Sequence, residues 1–371
     1  MYFQLIIFII SVLGLSVFRE TGSPERRYLK RKKYVTLIMI LFILQSGLRN
    51  LAVGADTYSY ALQFNENHNE RWQYFFSNFW DIKDAGYHMM TKAFSVIFNN
   101  FRIYLIAVAC FFFYALGKVL LKYLKSNYDV LVAVSLYQSL FYSFFSITGL
   151  RQTVATGLLL WSIPLFLQKR YFKVIVLFLC ALLMHKSALI FLIFYVLSTV
   201  KNSKRILIIA FALFVPMYSL QSSLGVIIQG TAMELYARYL EQGTTSGAFM
   251  FTMYILLLGI AAFFKVNTLI ESNSNNYIFL NAIAVAILLT PLLSLDPNNQ
   301  RIVQYFSIFS LIILPYICTA YTNENSKNLH IMVFLILAIY ILSRNMEYKF
   351  FWQDMLFESE ETSLILNDSF L

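Results

Sequence analysis

Long apolar runs separated by short polar connections set the pattern of the chain. Runs long enough for membrane helices lie near residues 2–18, 34–53, 101–117, 130–147, 152–167, 206–222, 248–264, 277–293, 302–320 and 329–343, against the ~20 apolar residues that cross a hydrocarbon core. No basic residue precedes the first run and no small-residue cleavage site follows it, so it reads as a retained helix. A further run, 174–199, is interrupted by His185-Lys186. If it goes out and comes back there, each arm has about 11–13 residues and reaches roughly 16–20 Å, short of the ~30 Å core. The turn would then sit at depth, where irregular backbone is tolerated only inside protein or beside a water-filled cavity. The alternative is one long tilted helix with a buried His-Lys pair. The pattern predicts an all-α polytopic membrane protein of about 10–12 transmembrane helices.

Composition narrows the class. Hydrophobic residues are 59% of the 371 and charged ones 13%, against about 25% charged in soluble proteins. A soluble enzyme, a disordered chain and a disulfide-stapled secreted domain are excluded. Cys110, Cys180 and Cys318 are scattered through apolar runs, which offers neither a disulfide framework nor a metal-ligand spacing, so no metal is expected. They read as small buried apolar residues.

The formal charge of +10 matters through its placement. Arg19, Arg26, Arg27, Lys30, Arg31, Lys32 and Lys33 crowd the 19–33 linker, which makes it cytoplasmic and starts the N-terminus outside. Alternation puts Lys118, Lys122 and Lys125 inside, with Lys169, Arg170 and Lys173, and also Lys201, Lys204 and Arg205 if the 174–199 run doubles back. The charge is therefore a topology signal with some attraction to anionic membrane lipid, and no nucleic-acid partner is expected. This gives one integral membrane domain, 1–343, with a basic cytoplasmic loop at 19–33 and an external region at 54–100. An acidic, external tail, 344–371, follows.

Polar residues gather at the external ends of the expected helices. Arg49 ends the second in Gly47-Leu-Arg49, and Asp56 follows in Gly54-Ala-Asp56-Thr57. Asp84 lies before Gly86-Tyr87, Arg151 between two helices in Gly149-Leu-Arg151-Gln152, His185 at the break, and Arg301 one turn before Gln304 and Tyr305. One outward-facing cavity can hold them all. Each also has a structural reading: Arg49 and Arg301 can snorkel, Asp56 can cap the helix from Thr57, Asp84 can be a loop carboxylate, and His185 a satisfied core histidine. Arg151 has little room in so short a connection. Ionisable residues in membrane segments are costly and tend to face an interior site. Three guanidinium groups suit a pyrophosphate leaving group, and Asp56, Asp84 or His185 can take a proton from an incoming hydroxyl. The chain has no Walker loop, dinucleotide fingerprint, His-Glu-x-x-His or Gly-x-Ser-x-Gly motif. No nucleotide, metal or other cofactor is expected. Tyr58, Tyr60, Trp72, Tyr74, Phe75, Phe76, Trp80 and Tyr87 flank the same loops as interfacial belt residues or stacking surfaces for sugars.

Taken in order, Gly47-Leu-Arg49, Gly54-x-Asp56-Thr57-x-x-Tyr60, Gly86-Tyr87, Leu150-Arg151-Gln152, His185-Lys186-Ser187-Ala188-Leu189 and Arg301-x-x-x-Tyr305-Phe306 resemble the EpsG family of Wzy-type polysaccharide polymerases. The acid near Gly86 lies one residue further back than the family's usual Glu. The resemblance implies a GT-C-like bacterial cytoplasmic-membrane enzyme that joins polyprenyl-diphosphate-linked oligosaccharide repeat units at the outer face, in capsule, exopolysaccharide or O-antigen assembly. It also implies a flippase and a chain-length regulator as partners. On this reading Arg49, Arg151 and Arg301 hold the diphosphate, His185, Asp56 or Asp84 supplies the base, and Thr57, Tyr60, Tyr87, Gln152, Lys186 and Tyr305 support them. The rival class is a lipid-linked oligosaccharide flippase. That would call for related halves and several interrupted helices, and the sequence has one candidate break and no visible repeat.

Overall fold

Ser23 opens the second helix as its N-cap, accepting from the Arg26 amide. Pro24 takes the first position, where a missing N–H costs nothing, and Glu25 lies in the first turn. The basic run therefore winds into the helix Pro24–Gly47, and the expected loop at 19–33 and span at 34–53 are both corrected. Strong local capping overrides the charge pattern. The computed structural model describes residues 2–54, 56–220, 246–294, 299–322, 327–343 and 348–353. Among these, helices are joined by turns, and the β pairing is a single antiparallel bridge between Arg49 and Phe350. The chain is an all-α polytopic membrane protein.

Four helices among the described residues are long and apolar enough to span: Phe101–Tyr123, Asn127–Thr148, Leu150–Leu167 and Asn276–Leu293. Two bent pairs qualify if each is one span, Ala248–Phe264 with Val266–Ser272 (78°) and Gln300–Ser307 with Ser310–Tyr321 (48°). Shorter apolar helices are Phe3–Val17, Tyr171–Met184, Lys186–Leu197 and Asn328–Ser343. Length and hydropathy alone thus give fewer spans than the ten to twelve expected.

The helices assemble into two compact units. The first comprises Met1–Leu121, Tyr142–Lys186 and Ala338–Leu371. In it Tyr2–Val17 packs on Pro24–Gly47, with the Tyr34 hydroxyl donating to the Ser11 carbonyl at 2.8 Å. The region 54–100, expected as an external loop region, winds into the helices Thr57–Asn69, Trp72–Ser77 and Ala85–Ile97. Their apolar stripes meet Phe101–Tyr123 and Leu150–Leu167 around Ala61, Phe64, Tyr87, Tyr104, Leu105 and Val154. Trp72, Tyr74, Phe76 and Trp80 stay exposed, while Phe75 is buried. Residues 348–353 lie along the end of the second helix, with Asn50 N donating to Lys349 O and Phe351 N to Leu48 O. The rest of the acidic tail lies outside the described residues.

The second unit comprises Lys122–Phe141 and Ser187–Leu337. Asn276–Leu289 runs through its middle, buried from Ile278 to Ile287. Asn281 Nδ2 donates to the carbonyls of Leu197 and Val200, and Asp129 closes a capping box with Ser126 while taking a bond with His330. Of the cysteines only Cys318 is buried; Cys110 is exposed, which corrects the expectation that all three lie inside.

Candidate functional site

The helix Ala85–Ile97 starts hard against the end of Tyr171–Met184, an approach that only glycine permits. A Cβ on Gly86 would stand 2.6 Å from Leu183 Cβ and 2.9 Å from the Leu183 carbonyl oxygen. Asp84 precedes this helix in the left-handed conformation, φ 58° and ψ 45°, which costs a non-glycine residue roughly 1 kcal/mol and which Asp tolerates better than most. Its side chain makes no bond to its own helix. It crosses to the break after Met184.

There the carboxylate is saturated. Oδ2 accepts from Arg151 Nη1 at 3.2 Å and from His185 Nδ1 at 3.1 Å, and Oδ1 accepts from the Lys186 amide at 2.9 Å. The Asp84 side chain has no exposure. Burial pushes its carboxyl up, but the bond and charge of His185, the Lys186 amide and the Arg151 bond outweigh burial and hold it at about 2. Such an acid is a poor base at physiological pH. The carboxylate can only accept, so His185 Nδ1 is the donor, and a neutral ring then carries its lone pair on Nε2. Nε2 has no protein partner among the described residues, and the His185 side chain keeps 12% exposure. The expected break at His185 is present: the residue is extended, φ −158° and ψ 116°, between Tyr171–Met184 and the 3₁₀ turn Lys186–Phe191.

Arg151 sits in the first turn of Leu150–Leu167. Nη2 donates to Gln63 Oε1 at 3.3 Å, and the guanidinium lies 5.8 Å from the Tyr60 ring and 5.6 Å from that of Tyr87, within cation–π range. A fifth of its side chain remains open. Tyr60, Gln63 and Tyr87 thus hold one side of the cation and Asp84 neutralises it. Gln152, next along, is buried.

Arg49 is placed differently from the expectation of a diphosphate ligand. It is 1% exposed. Nη1 donates to the Ser46 carbonyl, Nη2 to the Ile147 carbonyl at 3.0 Å and Nε to Thr57 Oγ1 at 3.2 Å. Thr57 Oγ1 donates in turn to the Val53 carbonyl at 2.7 Å. Gly54 makes this possible with a left-handed φ of 90° and by lying against Ile147 Cγ2, where a Cβ would collide. The Gly54-x-Asp56-Thr57 motif is therefore a turn that seats Arg49. Asp56 occupies the N-cap position of Thr57–Asn69, but its side chain makes no cap bond, correcting the capping expectation.

In the second unit, Arg301 is half-buried in the first turn of Gln300–Ser307. Tyr305 is fully buried, its hydroxyl 3.2 Å from Ser187 Oγ. Phe191 stacks on Phe306 at 6.1 Å. The Asp296-Pro297-Asn298 stretch before Arg301 lies outside the described residues. Among the described residues, no group of three or more His, Cys, Asp or Glu side chains is arranged to hold a metal ion. Sequence reasoning missed Gln63, Asn67 and His88. The signal that could have found Gln63 and Asn67 was a polar stripe with Tyr60 at helical spacing; His88, on another helix, had none.

The EpsG family model matches residues 32–355. No curated protein and no solved structure matches the chain.

Proposed function

Because this chain belongs to the EpsG family of Wzy-type polysaccharide polymerases, we propose that it joins oligosaccharide repeat units carried on polyprenyl diphosphate, at the outer face of a bacterial cytoplasmic membrane. The observation that carries this reading is Asp84, which ties together Arg151 and His185 from two other stretches of chain. One segment supplies a cation for a leaving diphosphate, the other a base for an incoming hydroxyl.

The donor is the nascent chain on its lipid diphosphate, and the acceptor is a sugar hydroxyl of a fresh lipid-linked unit. The acceptor oxygen bonds to the anomeric carbon of the donor as its proton passes to His185 Nε2. The bond from that carbon to the diphosphate oxygen breaks, and Arg151 meets the charge left on the diphosphate. Asp84 remains ionised throughout, fixes the ring by Nδ1 and balances the imidazolium; it is a positioning residue. The bond broken supplies the driving force, so no nucleotide or other cofactor is required. A flippase would deliver the units to this face, and a chain-length regulator would act on the product. Arg301 has the residue type to bind phosphate.

In cells making the polymer, His185→Ala and Arg151→Ala should insert and fold yet abolish polymer, with single repeat units accumulating. General-base loss alone is worth roughly 10²–10⁴-fold in rate. Normal chain length in both variants removes the reading.

A further inference from the structure

The face of Thr57–Asn69 that carries Tyr60 and Gln63 continues to Asn67. Gln63 Oε1 takes Arg151, and one turn further on Asn67 Oδ1 lies 3.1 Å from His88 Nδ1. His88 is itself one turn beyond Asp84, on the helix that Asp84 begins. Asn67 is 5% exposed, and its amide Nδ2 is buried without a partner. The Nε of Arg151 is in the same state. Buried donors are rarely left unmade, because each costs about 1–3 kcal/mol. One belongs to the amide that meets His88 Nδ1, the other to the guanidinium whose charge acts on His88.

We propose that Gln63 and His88 form a subsite for the hydroxyls of a sugar ring in the lipid-linked substrate, with Asn67 as the positioning residue that fixes the His88 ring. The proposal rests on the reading of Arg151 and His185 as the reacting centre. An amide oxygen accepts from Nδ1–H, which leaves His88 Nε2 as an acceptor, while Gln63 offers its amide N–H groups. A sugar hydroxyl both donates and accepts, so it matches this alternation. A second phosphate does not, because it would meet a lone pair and gain no new cation. Burial, then the Arg151 charge, opposed by Asp84, hold the His88 imidazolium down to about 4, so the ring is neutral in use. Among the neighbouring groups, Lys92 is spent on the His68 carbonyl, and His68 Nδ1 lies 3.2 Å from the Ser95 carbonyl.

The test is steady-state kinetics of the purified full chain in liposomes, with lipid-linked repeat units supplied as substrate. His88→Ala and His88→Asn should raise KM about 3- to 10-fold, the loss of one neutral hydrogen bond, with kcat changed by less. His88→Gln reaches the Nε2 position and should restore KM. Asn67→Asp places a carboxylate on Nδ1 and favours the charged ring, so KM should rise as pH falls through the neutral range, where the parent stays flat. An unchanged KM in both His88→Ala and His88→Asn overturns the subsite, as does a loss confined to kcat. If His88→Ala fails to insert, the Gln and Asn variants decide between them. His185→Ala is the control: full turnover there sinks the reacting centre itself, whereas a dead His185→Ala beside an unchanged His88→Ala sinks only the subsite.

Discussion

Asp84 gives both carboxylate oxygens to partners while its backbone sits in a left-handed conformation, and this fixes the division of labour at the site. Asp84→Asn should keep the shape but turn an amide N–H toward His185 Nδ1, locking the wrong tautomer; turnover should fall by roughly 10²–10⁴-fold. The same residue has a pH signature. Its folded pKa of about 2 lies below the ordinary 3.8, so as pH falls the unfolded chain takes the proton first. Its contribution, on the order of 2 kcal/mol, is intact above pH 4 and fades between about 4 and 2. Thermal unfolding of parent and Asp84→Asn in detergent should therefore differ by a gap that closes as pH falls from about 4 to 2; a gap unchanged across that window contradicts this. At this scale the sequence was informative for charges and silent for amides. Asp84, Arg151 and His185 stood out because ionisable side chains near apolar runs are rare. Gln63 and Asn67 looked like any polar stripe on a helix outside the spans, and His88 like any lone polar residue on another.

At the scale of elements, the 12-residue π-helix Tyr137–Thr148 is the feature the sequence hid. Its residues form an ordinary apolar run, and π geometry leaves no periodic trace distinct enough to read. Its terminal carbonyls are taken by side chains from elsewhere: Phe145 O by Thr153 Oγ1, Ser146 O by Ser46 Oγ and Ile147 O by Arg49. Arg49 places a cation where the carbonyls of a helix end accumulate negative charge, four residues before Arg151. Removing it leaves the Ser46 carbonyl unmet, at a cost of about 1–3 kcal/mol, and the Ile147 carbonyl with only the longer contact to Thr57 Oγ1 at 3.4 Å. Arg49→Ala should lower the melting temperature by several degrees as well as activity. Arg49→Lys should recover only part of it, because an ammonium on a single stem cannot reach three acceptors in a fan. Full thermal recovery by Lys would show that charge alone matters there. The Gly54 and Thr57 motif was visible in the sequence as a unit, but its service to Arg49 was not, since nothing in a linear pattern distinguishes an arginine aimed at carbonyls from one aimed at a ligand.

For the molecule as a whole, charge asymmetry is the main guide to orientation. Basic residues cluster at the Pro24 end of the second helix and around Lys125 and Lys201, whereas Asp84, Arg151 and His185 follow other helix ends. The all-α membrane class was legible because hydropathy over twenty residues is a strong signal. The number of spans was not, because apolar runs that read as single spans are bent at Lys265 by 78° and near Ile308 by 48°. The proposed outward-facing site has a direct consequence in a chain whose three native cysteines are replaced. Lys83→Cys and Lys186→Cys, at exposed residues beside Asp84 and His185, should react with a membrane-impermeant thiol reagent added to intact cells, while Lys125→Cys and Lys201→Cys, also exposed, should react only after permeabilisation. Reaction of Lys83→Cys and Lys125→Cys from the same side would be incompatible with outward chemistry. A base facing the cytosol would need substrate that had never been flipped.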